Sequence, residues 1–288
     1  MAYASFADLL AAAHTAGSLG EAVVALEVEE SGVPRNEVLA RLATSLSVME
    51  DAVARGLAGE ARSRSGMTGG DARLVSERGP RLSGDTFSEA VAGALAVAEV
   101  NAAMGRIVAA PTGGASGVLP GVLLATAARL AAPRERVVLA LAASGGIGGI
   151  IAAKATLSGA AGGCQAEIGS AAAMSAAAVV ELADGTPEQA GHAASIALQG
   201  QMGLVCDPIG GLVEVPCVAR NATGAAVALA AAEMALAGVT FPVPLDEVIS
   251  AMGSVGRSLP PSLRETALGG LATTPTGKRI ASGASSGP

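Results

Sequence analysis

Large aromatic side chains are almost missing from this chain of 288 residues, which has no tryptophan, one tyrosine and three phenylalanines. A core without rings must be filled by small side chains, and these fill space only where backbones come close together. Lysine is scarce as well: Lys154 and Lys278 are the only two, and no Lys/Arg cluster exists. The formal charge of −7 and an isoelectric point near 4.9 exclude a nucleic acid or an anionic membrane surface as partner, because both reward a basic face. The first residues are not expected to act as a secretory leader either. The start, MAYASFADLLAAAHTAG, has no basic n-region and carries Asp8 inside its apolar part. One long uncharged apolar stretch lies between Arg136 and Lys154. It falls short of the ~20 residues a membrane span needs, and its glycine-rich middle reads as a poor helix. Despite a mean hydropathy of +0.51, the expectation is a soluble, cytoplasmic chain of buried Ala-rich helices.

Strand signals are also lacking, since no period-2 alternation of β-branched residues is sustained. The expected fold class is all-α, an Ala-rich helical domain with Gly-rich loops. Residues 1–60 read as N-terminal helices, with Ser31-Gly32-Val33-Pro34 between two of them. Residues 61–82 read as a loop containing MTGGDA (Met67 to Ala72), and residues 83–275 as the core. Thr86 to Ala103 reads as a helix capped by Asp85 or Thr86. Beyond it, Gly-rich turns alternate with helices: PTGGASG (Pro111 to Gly117), SGGIGG (Ser144 to Gly149), SGAAGG (Ser158 to Gly163) and DPIGG (Asp207 to Gly211). Thr186-Pro187-Glu188-Gln189 carries a capping-box signature. Helices are expected from Asn221 to Leu236 and from Leu245 to Val255, and residues 276–288 read as a flexible tail.

Three cysteines cannot be fully paired, and no CxxC spacing is present. A free cysteine often serves as a small buried hydrophobe. Here Cys164 follows Gly162-Gly163, Cys206 precedes Asp207-Pro208, and Cys217 follows Pro216, so none sits mid-helix among apolar neighbours. Three soft thiolates on separate loops suit an iron–sulfur cluster or zinc better than a disulfide.

Several blocks carry a family likeness: SGAAGGCQAEIGSA (Ser158 to Ala171), MGLVCDPIGGLVEVPCVARNA (Met202 to Ala222) and RETALGGLATTPTG (Arg264 to Gly277). MTGGDA and EVNAAMGRIVAAPTGGASGVLPG (Glu99 to Gly121) add to it. In order and spacing they resemble the alpha chain of iron–sulfur L-serine dehydratases, from about Phe6 to Lys278. The resemblance implies that Cys164, Cys206 and Cys217 ligate a [4Fe–4S] cluster. It implies a lyase of amino-acid degradation that turns L-serine into pyruvate and ammonia. The chain looks like the two-chain type, whose separate beta chain has an ACT-like module and helps complete the active site of a heterodimer. Single-chain relatives end in a further cysteine, and the tail ASGASSGP has none. They also place Asn at the position of Gly113 and His at that of Gly200, while most members have Asn where Lys154 stands.

The implied chemistry uses an iron without a cysteine as Lewis acid for the serine hydroxyl. Backbone N–H groups of Thr68, Gly69 and Gly70, and of Thr112, Gly113, Gly114 and Ser116, are the candidates for gripping the substrate carboxylate. Asn101 and Asp71 stand beside these loops. The general base is not identified: His14 and His192 are the only histidines, both read as surface residues, and the base is expected on the partner chain. A need for a monovalent cation stays open. Two rival readings are a pyridoxal-phosphate dehydratase, with Lys154 as Schiff base and SGGIGG as phosphate cup, and a non-catalytic Ala-rich assembly or membrane subunit.

Overall fold

A computed structural model describes residues 3–284. Thirteen α-helices follow one another: α1 (Phe6–Ala16), α2 (Leu19–Ser31), α3 (Arg35–Leu57), α4 (Asp71–Arg78), α5 (Asp85–Ala102), α6 (Val118–Leu130), α7 (Arg134–Lys154), α8 (Gly159–Gly162), α9 (Ser170–Leu182), α10 (Pro187–Gln199), α11 (Cys217–Leu236), α12 (Leu245–Ser258) and α13 (Pro275–Ala284). No strand forms among the described residues; the sole β-type pairing is an isolated parallel bridge between Cys206 and Arg264. The class is all-α.

The core is built around α9, SAAAMSAAAVVEL, in which every residue but Glu181 is buried. A helix apolar on all sides must be surrounded, and α9 is wrapped by α6, α7, α10 and α11. Helix α5 lies outside α6 and α11 and in turn carries α3 and α4. Small residues set these distances. A Cβ on Gly121 of α6 would lie 2.5 Å from the Ala94 nitrogen and 2.6 Å from the Ala90 oxygen of α5. The absence of rings is therefore matched by backbone-to-backbone contact.

Local signals account for most helix ends. The hydroxyl of Ser5 accepts the Asp8 N–H at the start of α1, and Ser18 accepts the Glu21 N–H at the start of α2. Gly17 between them is left-handed, at φ 94°, so the N-terminal region holds three helices where the sequence marks two. The capping box of Thr186 and Gln189 forms as expected. Helix α5 starts after Gly84 without a side-chain cap, so neither Asp85 nor Thr86 plays that part. Helix α4 occupies part of the region read as loop, and α11 begins at Cys217 itself. Helix α13 falls in the stretch read as tail, whose residues 285–288 lie outside the described residues.

The SGGIGG segment is not a turn but the middle of α7. Its glycines are tolerated because neighbours occupy the missing side-chain space: a Cβ at Gly148 would meet the Met174 sulfur at 2.9 Å, and one at Gly146 the Leu9 Cδ2 at 3.1 Å. Two segments, Gly113–Leu130 and Arg134–Lys154, are long and apolar enough to cross a membrane, yet 61% and 67% of their apolar windows are buried within the fold.

Two glycines on neighbouring helices separate packing from propensity. Gly121→Ala should lower stability by about 1–3 kcal/mol through overpacking. Gly145→Ala, where a Cβ meets open space, should raise it by up to about 1 kcal/mol. Urea midpoints of the two variants check both signs.

Candidate active site

The three cysteines leave the core on three different local structures. Cys164 sits between α8 and a π-turn, Gln165–Gly169. Gly163 before it takes φ +79°, and a Cβ there would lie 2.6 Å from Leu259 Cδ1 and 2.9 Å from the Leu204 oxygen, so glycine is required on both counts. Cys206 lies in an extended loop whose backbone is held on both sides: its N–H donates to the Leu263 carbonyl at 2.9 Å, and its carbonyl accepts the Glu265 N–H at 2.8 Å. Cys217 is the first residue of α11.

All three thiols are free and buried. Burial pushes Cys164 up to about 11 and Cys217 up to about 12, and moves Cys206 in the same direction. Cys164 and Cys206 share one buried cluster, Glu167 and the Cys206 sulfur both face Gly159, and Arg220, on the helix turn that opens with Cys217, bonds the Val205 carbonyl just before Cys206.

Three polar side chains join the loops that bring them there. Gln165 donates from Nε2 to the carbonyls of Gly162 (2.8 Å) and Met252 (3.2 Å), and its Oε1 accepts the Gly203 N–H at 2.9 Å. Asn221 accepts the Gly117 N–H at 2.8 Å and donates to the carbonyls of Gly114 (2.8 Å) and Cys217 (2.9 Å). Arg220 pairs with Asp207 at 2.8 Å. Such buried side chains stay because every polar atom finds a partner.

Beside the cysteines lies a cleft of about 970 Å³ lined by Asn101, Gly113, Gly114, Glu167, Glu214 and Glu265, among others. Among its acids Glu167 is half-buried and faces Gly159 together with Cys206. The wider π-turn carries it beneath the Pro111–Gly117 loop, where the Thr112 hydroxyl donates to its Oε1 at 2.7 Å. Burial raises its proton affinity above the ordinary carboxylate range; the Thr112 bond opposes this, and the charge of Glu265 adds to it. Sequence reading did not single out Glu167, although it sits in the SGAAGGCQAEIGSA block, three residues after Cys164.

The two glycine loops expected to grip substrate part company. Thr112, Gly113 and Gly114 stand at the cleft or on Glu167, with Asn101 beside Gly113. Ser116 is fully buried and donates to the Gly113 carbonyl at 2.8 Å, so it braces the loop from behind. The amides of Gly70, Asp71 and Ala72 already hold an anion of the protein: the carboxylate of Glu99, at 3.0, 2.7 and 3.3 Å. Gly69 packs on Ala61 and Arg62, and Asp71 is exposed. Thr68 is buried, and its hydroxyl has no hydrogen-bond partner among the described residues. From this loop it is Arg64 and Ser65 that reach the cleft, Ser65 by donating to Glu214.

Neither histidine lines the cleft. His14 bonds Glu188, and His192 accepts the Phe241 N–H at 3.2 Å. Lys154 pairs with Asp246 at 3.2 Å, the same carboxylate that takes the Phe6 and Ala7 N–H groups at the start of α1. With SGGIGG inside a helix, Lys154 has no phosphate cup and the pyridoxal-phosphate reading loses its geometry.

Residues 14–272 match the family profile described as serine dehydratase alpha chain. The chain is 49% identical over 265 residues to a probable L-serine dehydratase alpha chain of Bacillus subtilis (strain 168), covering 91% of this chain and 88% of the relative. It is 46% identical over 257 residues to the L-serine dehydratase alpha chain of Peptoniphilus asaccharolyticus, covering 88% of each. Over 181 residues it is 45% identical to the L-serine dehydratase TdcG of Escherichia coli (strain K12), covering 62% of this chain and 40% of that protein.

Glu99 gives a test independent of chemistry. Burial outweighs the three N–H bonds, so its carboxyl is pushed above the ordinary 4.5. The folded chain then holds this proton more tightly than the unfolded chain. The resulting stabilisation is complete below pH 4.5 and is lost as pH rises through the folded value. Urea unfolding between about pH 4 and pH 8 should show a slope that Glu99→Gln lacks. Glu99→Ala, which leaves the amides without an acceptor, should cost about 1–3 kcal/mol.

Proposed function

Because the chain belongs to the serine dehydratase alpha chain family, we propose that it is the catalytic alpha subunit of a soluble, cytoplasmic L-serine dehydratase. The observation that carries this reading is the approach of the Cys164, Cys206 and Cys217 segments to one another beside the acid held by the Thr112 hydroxyl.

In this reading the three sulfurs hold a [4Fe–4S] cluster. The donor set fits: three buried, unpaired, soft sulfurs with no competing disulfide. Among the described residues, no three His, Cys, Asp or Glu side chains group tightly enough for a single ion, and a cubane spreads its thiolates wider than one tetrahedral ion does. Gly159 keeps space open between Glu167 and Cys206; a Cβ there would stand 3.3 Å from Cys206 Sγ. When bound, the cluster supplies a Lewis-acidic iron that makes hydroxide a tolerable leaving group.

The chain's own residues do the rest. The Gly113 and Gly114 amides, with Asn101 beside them, grip the substrate carboxylate. Glu167, kept protonated more readily by burial, gives its proton to the departing hydroxyl group, which leaves as water. The α-proton goes to a base on a second chain, a beta chain with an ACT-like module, since neither histidine of this chain lines the cleft. The Cα–H and Cβ–O bonds break, the Cα–Cβ double bond forms, and the aminoacrylate tautomerises and hydrolyses to pyruvate and ammonia.

Anaerobic reconstitution followed by iron and sulfide counting tests the cluster. The wild type should bind both in equal amounts and Cys217→Ala should lose most of them; equal loading of the two overturns the cysteine assignment. Glu167→Gln should keep the loading and lose activity about 10²-fold or more, as removal of a general acid does. The reconstituted chain alone should be inactive until a beta chain is added, and robust turnover without one overturns the partner-borne base.

A further inference from the structure

Arg220 is a buried cation that the dehydration steps do not use. It stands on the first turn of α11, with 15% of its side chain exposed. Nη1 donates to the Val205 carbonyl and Nη2 to Asp207 Oδ1, each at 2.8 Å. Three residues before it, the same helix turn opens with Cys217. Asp207 is itself buried, and its other oxygen accepts the Leu271 N–H at 2.7 Å. Gly270 is pressed against this carboxylate: a Cβ there would lie 2.6 Å from Asp207 Cβ. One planar fork, on the helix that opens with Cys217, therefore touches the residues on both sides of Cys206 and is joined through Asp207 to Leu271.

Burying an ion pair costs desolvation, and well-packed apolar residues often serve stability as well. A guanidinium has five N–H donors in fixed directions and can satisfy a carbonyl and a carboxylate together, whereas an ammonium is a single point. Partners in the shell around a metal group's ligands orient those ligands and draw charge from them.

We propose that Arg220 is a positioning residue for the sulfur set: from the helix turn that opens with Cys217 it holds the Cys206 segment on both sides and keeps a buried positive charge beside it. This rests on the reading of the three cysteines as cluster ligands. Net charge beside a cluster sets its potential, and a buried cation favours the reduced form.

The test uses the full chain as wild type, Arg220→Lys and Arg220→Met, with two measurements. In the iron-free chain, amide hydrogen exchange reports residues 204–207 and 263–271. Arg220→Met should exchange there about tenfold faster, the ratio that follows from losing one charge-assisted hydrogen bond. In the reconstituted chain, the midpoint potential of the cluster should shift negative in both variants, less for Lys than for Met. Unchanged exchange in both variants overturns the clamp. Faster exchange with an unchanged potential overturns the effect on the cluster and leaves an ordinary structural pair. Should Arg220→Met fail to fold, Arg220→Lys, which keeps the charge but not the fork, decides both points. A wild type that binds no iron or sulfide overturns the cysteine reading instead, and exchange alone then decides whether Arg220 joins the loops.

Discussion

Close approach of helix backbones is the constraint from which the rest of this molecule follows. Alanine and glycine let α6, α7, α10 and α11 crowd around α9, and Gly121 of α6 leaves no room for a side chain against Ala90 and Ala94 of α5. Interiors built this way gain stability from many small dispersion contacts. They offer few large side chains with which to fasten a loop. The loops at the ends of these helices are therefore fastened by hydrogen bonds.

That division explains why the polar residues around the cysteines are so fully engaged. Gln165 and Asn221 each use both ends of their amides, and their partners are backbone groups of loops distant in sequence. Asn221 joins the Pro111–Gly117 loop to the first turn of α11, so the cleft wall and Cys217 share one anchor. Gln165 does the same for the Cys164 loop, α12 and the segment before Cys206. Glu99 plays the equivalent part for α4, filling with a protein carboxylate the amide nest that the Met67–Ala72 loop creates. Backbone donors in such a nest attract an anion whatever its source, and here the anion is internal.

The rival readings fall to the same packing. An uninterrupted α7 removes the phosphate cup that a pyridoxal-phosphate enzyme needs, and Lys154 is engaged by Asp246 beside the N-terminus of α1. The apolar length that suggests a membrane segment is turned largely inward, against α2 and α9. The acids of the cleft do not resemble one another either. Glu167 is held by Thr112 and raised by burial, while Glu214 takes the Ser65 hydroxyl.

The sequence by itself determined the helical class, the capping box at Thr186, the separation of the cysteines onto loops, and the family likeness carried by the blocks around them. These are local or ordered properties, written in composition, in spacing and in a few cap residues. It misread Ser144 to Gly149 as a turn, because helix propensity counts a glycine's entropy but not the Met174 side chain that fills the space beside it. It kept both glycine loops as candidates for gripping substrate, because whether an amide nest is free depends on a carboxylate 29 residues away from Gly70 along the chain. It passed over Glu167, Arg220 and Asn221. Their roles arise from a π-turn, a buried fork and a three-way amide bridge that exist only once distant loops meet. Only the tertiary structure decided those, because burial and partner geometry are properties of the packed chain.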